Sequence, residues 1–236
     1  MPRHRIPERR ERLLVAARDL ALEQGWSATT VSDIANRVGI GKGAVYLEFA
    51  TKAAILDALI NHGMGALGAE VRRRVLEADG VVGLSAVYRF SVEALLADRL
   101  MRAFFLGDED VLGGHVRSVA DGRYQQRFDW LGEYLSHLQQ AGLIAAGVDL
   151  PSVTRLLSVF TIGLLHAPGT LGATTDEELR SSVGLFAGIV ERGVAADLPP
   201  DADAAREAQL AMLERLEAQL DQLQRPAQPT VEEECS

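Results

Sequence analysis

Apolar residues recur every three to four positions along most of this chain, and that spacing predicts helices. Leu13, Ala16, Ala17, Leu20 and Ala21 form the first stripe, giving a helix over 8–24 that Gly25 ends. Trp26 is read as a core residue packed under the next elements rather than as a base-stacking side chain. Val31, Ile34, Ala35 and Val38 mark a second helix. Thr30 is its N-cap, and Asp33, three residues on, completes a T-x-x-D capping box. Gly39 ends this helix, because glycine enters a left-handed conformation without a side-chain penalty. Ile40 drops into the core at the corner. A short helix then starts near Gly41 or Lys42, with Val45 and Phe49 facing inward. From Lys52, behind a Thr51 cap, a long helix runs to about Glu77 on Ile55, Leu56, Leu59, Ile60, Met64, Leu67, Val71 and Val75. Gly63, Gly65 and Gly68 each weaken it by roughly 1 kcal/mol against alanine, or let neighbouring helices come close.

Further along, 81–112 reads as one or two helices, and Met101, Phe104, Phe105 and Leu106 form a strongly apolar cluster. Core packing is one reading of that cluster; the wall of a small-molecule pocket is the other. After Gly113 and Gly114, a helix from about His115 to Gln140 carries Tyr124, Phe128, Leu131, Leu135 and Leu138 on one side, with Trp130, Tyr134 and His137 nearby. Met101, Phe104, Phe105, Trp130, Tyr134 and His137 are the candidate pocket residues. Two more helices are predicted over 150–166, opened by Pro151, and 176–194, opened by Asp176, Glu177 and Glu178. Both are apolar on more than one side, so each needs burial on more than one side. Pro199 and Pro200 close this unit. A helix over 202–224, with Leu213, Leu216, Leu220 and Leu223, is too short for an independent coiled coil. The organisation that follows is a helical head over 1–52 with a basic arm at 1–7, a helical body over 53–198, and a terminal helix and tail over 199–236.

The segment Ala28–Lys52 is therefore a helix, a glycine turn and a second short helix, the plan whose second helix enters a DNA major groove. Its flanks add specificity. E-Q-G-W, then A-T-T-V-x-D-I-A, then V-G-I-x-K-G-x-V-Y-x-x-F, then T-K-x-x-I-L resembles the DNA-binding region of the TetR family of transcriptional regulators, over roughly residues 8 to 60. The resemblance implies an all-α fold: an N-terminal three-helix helix-turn-helix domain and a C-terminal helical domain for ligand binding and dimerisation. It implies that the 150–166 and 176–194 helices pair with a second copy as a four-helix bundle. A monomeric core is the alternative. It also implies that Tyr46 contacts a DNA phosphate. Thr30, Gly41, Lys42, Gly43, Ala44, Tyr46, Leu47 and Lys52 are the candidate DNA-binding residues. Lys42 reaches a phosphate or a base edge, Gly43 and Ala44 allow close approach to the groove, and Lys52 faces a phosphate. Leu47 is either an apolar base contact or a chance surface leucine. Gly41 stands where the family commonly has a capping serine or threonine. Glu48 lies close to the expected DNA surface, where it either accepts from a cytosine amino group or turns away to pair with a basic residue.

Charge agrees once it is divided along the chain. The net charge is −9, yet residues 1–52 hold nine basic and six acidic groups. The remainder carries 15 basic and 27 acidic groups, so only the head is suited to phosphates. Cys235, the single cysteine, excludes an internal disulfide framework and fits a reducing cytoplasm. The cationic N-terminus has no apolar run behind it, unlike a secretory signal. The longest uncharged run, Leu156 to Thr175, reads as a buried helix followed by a loop, not a membrane span. With no nucleotide-binding glycine motif and no zinc spacing, an enzyme is not expected, nor a cofactor or metal. The expectation is a homodimeric regulator, usually a repressor in the family, released from a near-palindromic operator by a small lipophilic effector. A DNA-binding factor without ligand response is the alternative.

Overall fold

The computed structural model describes residues 8–106, 108–113, 125–170 and 175–196, together with 203, 206, 207, 209–211, 213, 214 and 218. Helices α1 (Arg9–Gln24), α2 (Val31–Val38) and α3 (Lys42–Tyr46) form the head, and α4 (Lys52–Glu77) leads out of it. The body follows as α5 (Leu84–Ala97), α6 (Arg99–Leu106), α7 (Glu109–Leu112), α8 (Gln125–Gln140), α9 (Leu150–Thr170) and α10 (Asp176–Val194). The fold is all-α: among the described residues the only β pairing is an isolated antiparallel bridge between Ile144 and Ala195. A single core cluster runs from Leu13 and Leu14 of α1 through Leu95 and Met101 to Val183 and Val190 of α10.

The caps predicted at Thr30 and Thr51 form, and a third forms at Thr175. Thr30 accepts from the Asp33 N–H while the Asp33 carboxylate accepts from the Thr30 N–H at 2.8 Å. Thr51 accepts from the Ala54 N–H at 3.0 Å. Thr175 and Glu178 make the same reciprocal box at the start of α10, joining the three acidic residues that favour that helix end. Gly39 takes the left-handed conformation expected of it, φ 77° and ψ 35°.

Two expectations need correction. Residues 81–112 form three helices, not one or two. The break is Asp98, whose extended backbone (φ −98°, ψ 106°) leaves the helix. Its carboxylate accepts from the Met101 N–H at 3.0 Å and from Arg18 of α1 at 3.0 Å. An apolar run that continues on both sides hides such a break. The 150–166 helix extends to Thr170, with Pro168 in its last turn. The helix expected from His115 is described only from Gln125, so its first ten positions lie outside the described residues, as do Leu216, Leu220 and Leu223 of the terminal helix.

Packing positions the head. Helix α4 lies against α1, α5 and α6, and α10 against α5. At Gly63 the α4 backbone comes so close to Met101 of α6 that any side chain there would collide with the methionine sulfur. Arg74 ties α4 to α5, pairing with Glu70 on its own helix at 2.7 Å and Glu93 across at 2.8 Å. Helix α9 is, by length and composition, apolar enough to cross a membrane over Leu150–Ala167. Here its Val153, Leu157, Leu164 and Leu165 are buried, and it packs on α6 and α8.

Candidate DNA-binding surface

The head is a three-helix cluster whose inward residues match the periodicity. Leu13, Ala17 and Ala21 of α1, Ile34 and Ala35 of α2, Val45 of α3 and Phe49 just beyond it are at most 3% exposed. Trp26 is core, at 5%. That packing leaves the other side of α3 facing outward. Gly41, Lys42 and Gly43 are exposed, and Ala44 is half-buried. Tyr46 is 47% exposed and Leu47 66%. A side chain placed on Gly41 or Gly43 would meet nothing within 4 Å. The fold itself therefore does not require glycine at either position. Gly41 caps α3 with ordinary extended backbone and no side-chain bond.

The positive charge of the head is mostly engaged within the protein. Arg37 pairs with Glu23 at 2.7 Å on the surface. Arg18 pairs with Asp98, and Arg12 donates to the Val38 carbonyl at 3.4 Å. Arg9 bonds the Glu48 carboxylate, and Arg10 donates to the Glu48 carbonyl at 3.0 Å. Glu48, read from sequence in two ways, thus turns to a basic residue. Among the described basic residues of the head, Lys42 is the one whose ammonium makes no hydrogen bond or ion pair; it stands 6.0 Å from the Tyr46 ring, one helical turn on.

Lys52, expected to face a phosphate, has a structural engagement that spacing does not disclose. Its ammonium donates to the Trp26 carbonyl at 2.6 Å and lies 4.9 Å from the centre of the Trp26 ring. Partial burial pulls its pKa below the usual lysine value, while the nearby Asp33 carboxylate works against that shift. Asp33 is itself held below the ordinary carboxylate range by its two hydrogen bonds from Thr30. Thr30 is exposed, but its hydroxyl is committed to the capping box. Thr30, Asp33, Lys52 and Trp26 together lock the start of α2 to the start of α4.

The head also meets the body by backbone. The Trp26 N–H donates to the Val111 carbonyl of α7 at 2.7 Å, and Gly25 passes against the Asp110 carbonyl. Sequence spacing did not reveal this joint; the glycine of E-Q-G-W is one local trace of it, and Gly113, packed against Ser27, is another.

The candidate pocket residues are placed differently from one another. Met101, Phe104 and Phe105 are at most 5% exposed in the core cluster, and the two phenylalanine rings meet edge to face at 5.4 Å. Tyr134 is buried, its hydroxyl accepting from Gln209 at 3.1 Å; burial pushes its pKa up to about 12. His137 is half-buried, and the Trp130 side chain lies outside the described residues. An open groove of about 710 Å³ between α8 and α9 is lined by Asp129, Gly132, Glu133, Leu150, Pro151, Thr154 and Arg155, none of them on the candidate pocket list. Among the described residues no group of three or more His, Cys, Asp or Glu is placed to hold a metal.

Comparison with known proteins adds to this geometry. Residues 13–59 match the profile of the bacterial regulatory proteins of the tetR family. The HTH-type transcriptional repressor Rv3405c of Mycobacterium tuberculosis is 36% identical over 190 residues, covering 77% of this chain and 90% of that protein. The HTH-type transcriptional repressor KstR2 of the same species is 28% identical over 155 residues, covering 64% of this chain and 77% of its own length. Among solved structures, the regulator FadR from Bacillus subtilis, in complex with stearoyl-CoA, superposes with a TM-score of 0.57 at 18% identity, over 78% of this chain and 98% of that one.

Proposed function

This chain belongs to the TetR family of bacterial transcriptional regulators, and from that premise we propose that it is a homodimeric repressor released from a near-palindromic operator by a small lipophilic molecule. The observation that carries the reading is the outward face of α3: a free Lys42, an exposed Tyr46 and Leu47, and two glycines that the fold does not need. Tyr46 positions the head on a phosphate, and Lys42, Ala44 and Leu47 meet base edges or the backbone. Gly41 and Gly43 let the groove wall come close. The head over 1–52 binds DNA, the body over 53–198 dimerises and receives the effector, and 199–236 is an appendage to it.

Dimerisation is supported by the surface of α9 and α10. Leu156 and Val159 on α9 and Leu185 and Ile189 on α10 are 51% to 67% exposed. Four large apolar side chains on two adjacent elements call for a partner, and a second copy supplies the same four across a two-fold axis. Two heads about one DNA turn apart then match a palindrome. The stearoyl-CoA in the Bacillus subtilis FadR complex is a precedent for a ligand with a long apolar chain on this fold. One observation favours the alternative of a regulator without ligand response: Met101, Phe104, Phe105 and Tyr134 are packed core residues.

The test is fluorescence anisotropy with DNA from upstream of the chain's own coding region, across a salt series, beside sedimentation of the free protein. Tight, selective binding with a steep salt slope and a dimeric mass is expected. The variant Leu185→Glu should sediment as a monomer and lose operator affinity. Equal, weak binding to all sequences, or a wild-type monomer, overturns the reading. Retained binding at saturating concentrations of acyl-CoAs and other lipophilic compounds would favour the alternative.

A further inference from the structure

We propose that Arg9 is a positioning residue for operator recognition: it neutralises Glu48 and so makes the end of the recognition helix acceptable to DNA phosphate. The inference rests on the DNA-binding reading above. Glu48 is the only carboxylate between Gly41 and Lys52. It lies in the turn that leaves α3, immediately after the exposed Tyr46 and Leu47. An unpaired negative charge there would face the phosphate backbone at short range and repel it. Arg9 removes that charge. Its Nε donates to Glu48 Oε1 at 2.8 Å, and a terminal nitrogen bonds the same oxygen. The two side chains are only 21% and 23% exposed, so the pair is shielded from salt better than a surface pair.

Two neighbouring features show that this contact is built rather than incidental. Arg10 holds the Glu48 carbonyl at 3.0 Å, and its guanidinium lies 4.2 Å from the centre of the Phe49 ring. The first turn of α1 therefore grips both the backbone and the side chain at the exit of α3. In addition, basic residues in a first helical turn oppose the helix dipole, and Glu8 offers α1 no side-chain cap. The partners Arg9 and Arg10 do have lie at the end of α3, Glu48 and Phe49.

The experiment measures affinity for a duplex operator selected from a random pool, by anisotropy at several salt concentrations, for wild type, Arg9→Ala, Glu48→Gln and the double variant. Arg9→Ala is expected to weaken binding about tenfold, the scale of one exposed like charge near phosphate. Adding Glu48→Gln should restore affinity to within about twofold of wild type. Glu48→Gln alone should bind at least as well as wild type. Thermal unfolding of each variant separates lost folding from lost recognition; if Arg9→Ala does not fold, Glu48→Gln alone decides. Failure of the double variant to recover, or weaker binding by Glu48→Gln, overturns the inference. So does a salt slope for Arg9→Ala lower by about 1, because Arg9 would then contact phosphate directly. A wild-type protein that selects no DNA sequence fails the parent reading instead.

Discussion

Replacing Gly25 by alanine should be among the most damaging single-methyl changes available in this protein. The backbone at Gly25 has φ 81° and ψ 150°, a region open essentially to glycine alone, where an L side chain costs of order 1–3 kcal/mol. The added carbon would also sit closer than 3.0 Å to the Asp110 carbonyl oxygen. That oxygen belongs to the backbone of α7 and cannot rotate away as a side chain would. Moving α7 would stretch the 2.7 Å bond from the Trp26 N–H to the Val111 carbonyl, and overpacking of this kind costs about 1–3 kcal/mol. Together the expected loss is about 2–6 kcal/mol. Gly39 is the matched control. It also has a positive φ, 77°, but an added carbon there meets nothing within 4 Å. Gly39→Ala should lose about 1 kcal/mol, the left-handed penalty less the entropy removed from the unfolded chain. Both variants are compared with wild type by urea unfolding at one protomer concentration, since association contributes to apparent stability. A Gly25→Ala loss within about 1 kcal/mol of the Gly39→Ala loss would refute the claim that the head and α7 meet as a rigid backbone joint.

Two further perturbations probe the body. Arg73 and Arg74 hold the Glu70 carboxyl down at about 2; with its folded pKa below the unfolded value, Glu70 stabilises the fold above pH 4.5, and that contribution drains away as pH falls towards 2. Thermal unfolding across that window should fall less steeply for Glu70→Gln than for wild type, and the difference should shrink in high salt because the site is open to solvent; parallel pH profiles would sink the assignment. Gln209, 1% exposed, donates to the Val82 carbonyl at 2.7 Å and to the Tyr134 hydroxyl and accepts from the Val82 N–H at 3.3 Å. Gln209→Leu should therefore lose roughly 2 kcal/mol in urea unfolding, whereas a change below about 0.5 kcal/mol would mean that the terminal helix adds no stability to the body.

The elements of the head were legible because their causes are local. An N-cap, its partner three residues on and a glycine stop lie within a few positions of one another, so Thr30, Asp33 and Gly39 announce α2 before any packing is known. Helical spacing alone likewise assigned Val45 and Phe49 to the core and the 52–77 span to α4. The outward face of α3 then followed by subtraction. Other features depend on which surfaces meet. Asp98 breaks an apolar run because Arg18, 80 residues away, supplies an ion pair for its carboxylate. Spacing does not show that Lys52 also bonds the Trp26 carbonyl; that contact appears only in the fold. Met101, Phe104 and Phe105 could by composition be packed core or a pocket wall, and only the fold shows them buried, with the α4 backbone close against Met101 at Gly63. Glu48 had two readings, and Arg9, 39 residues earlier, selects one. Gln209 reaches a backbone 127 residues away. Hydrogen-bond and hydrophobic periodicity act over about four residues of chain, so sequence carries them directly. Ion pairs, close glycine contacts and buried amides act through a few ångströms of space, and only the folded arrangement brings those groups within reach.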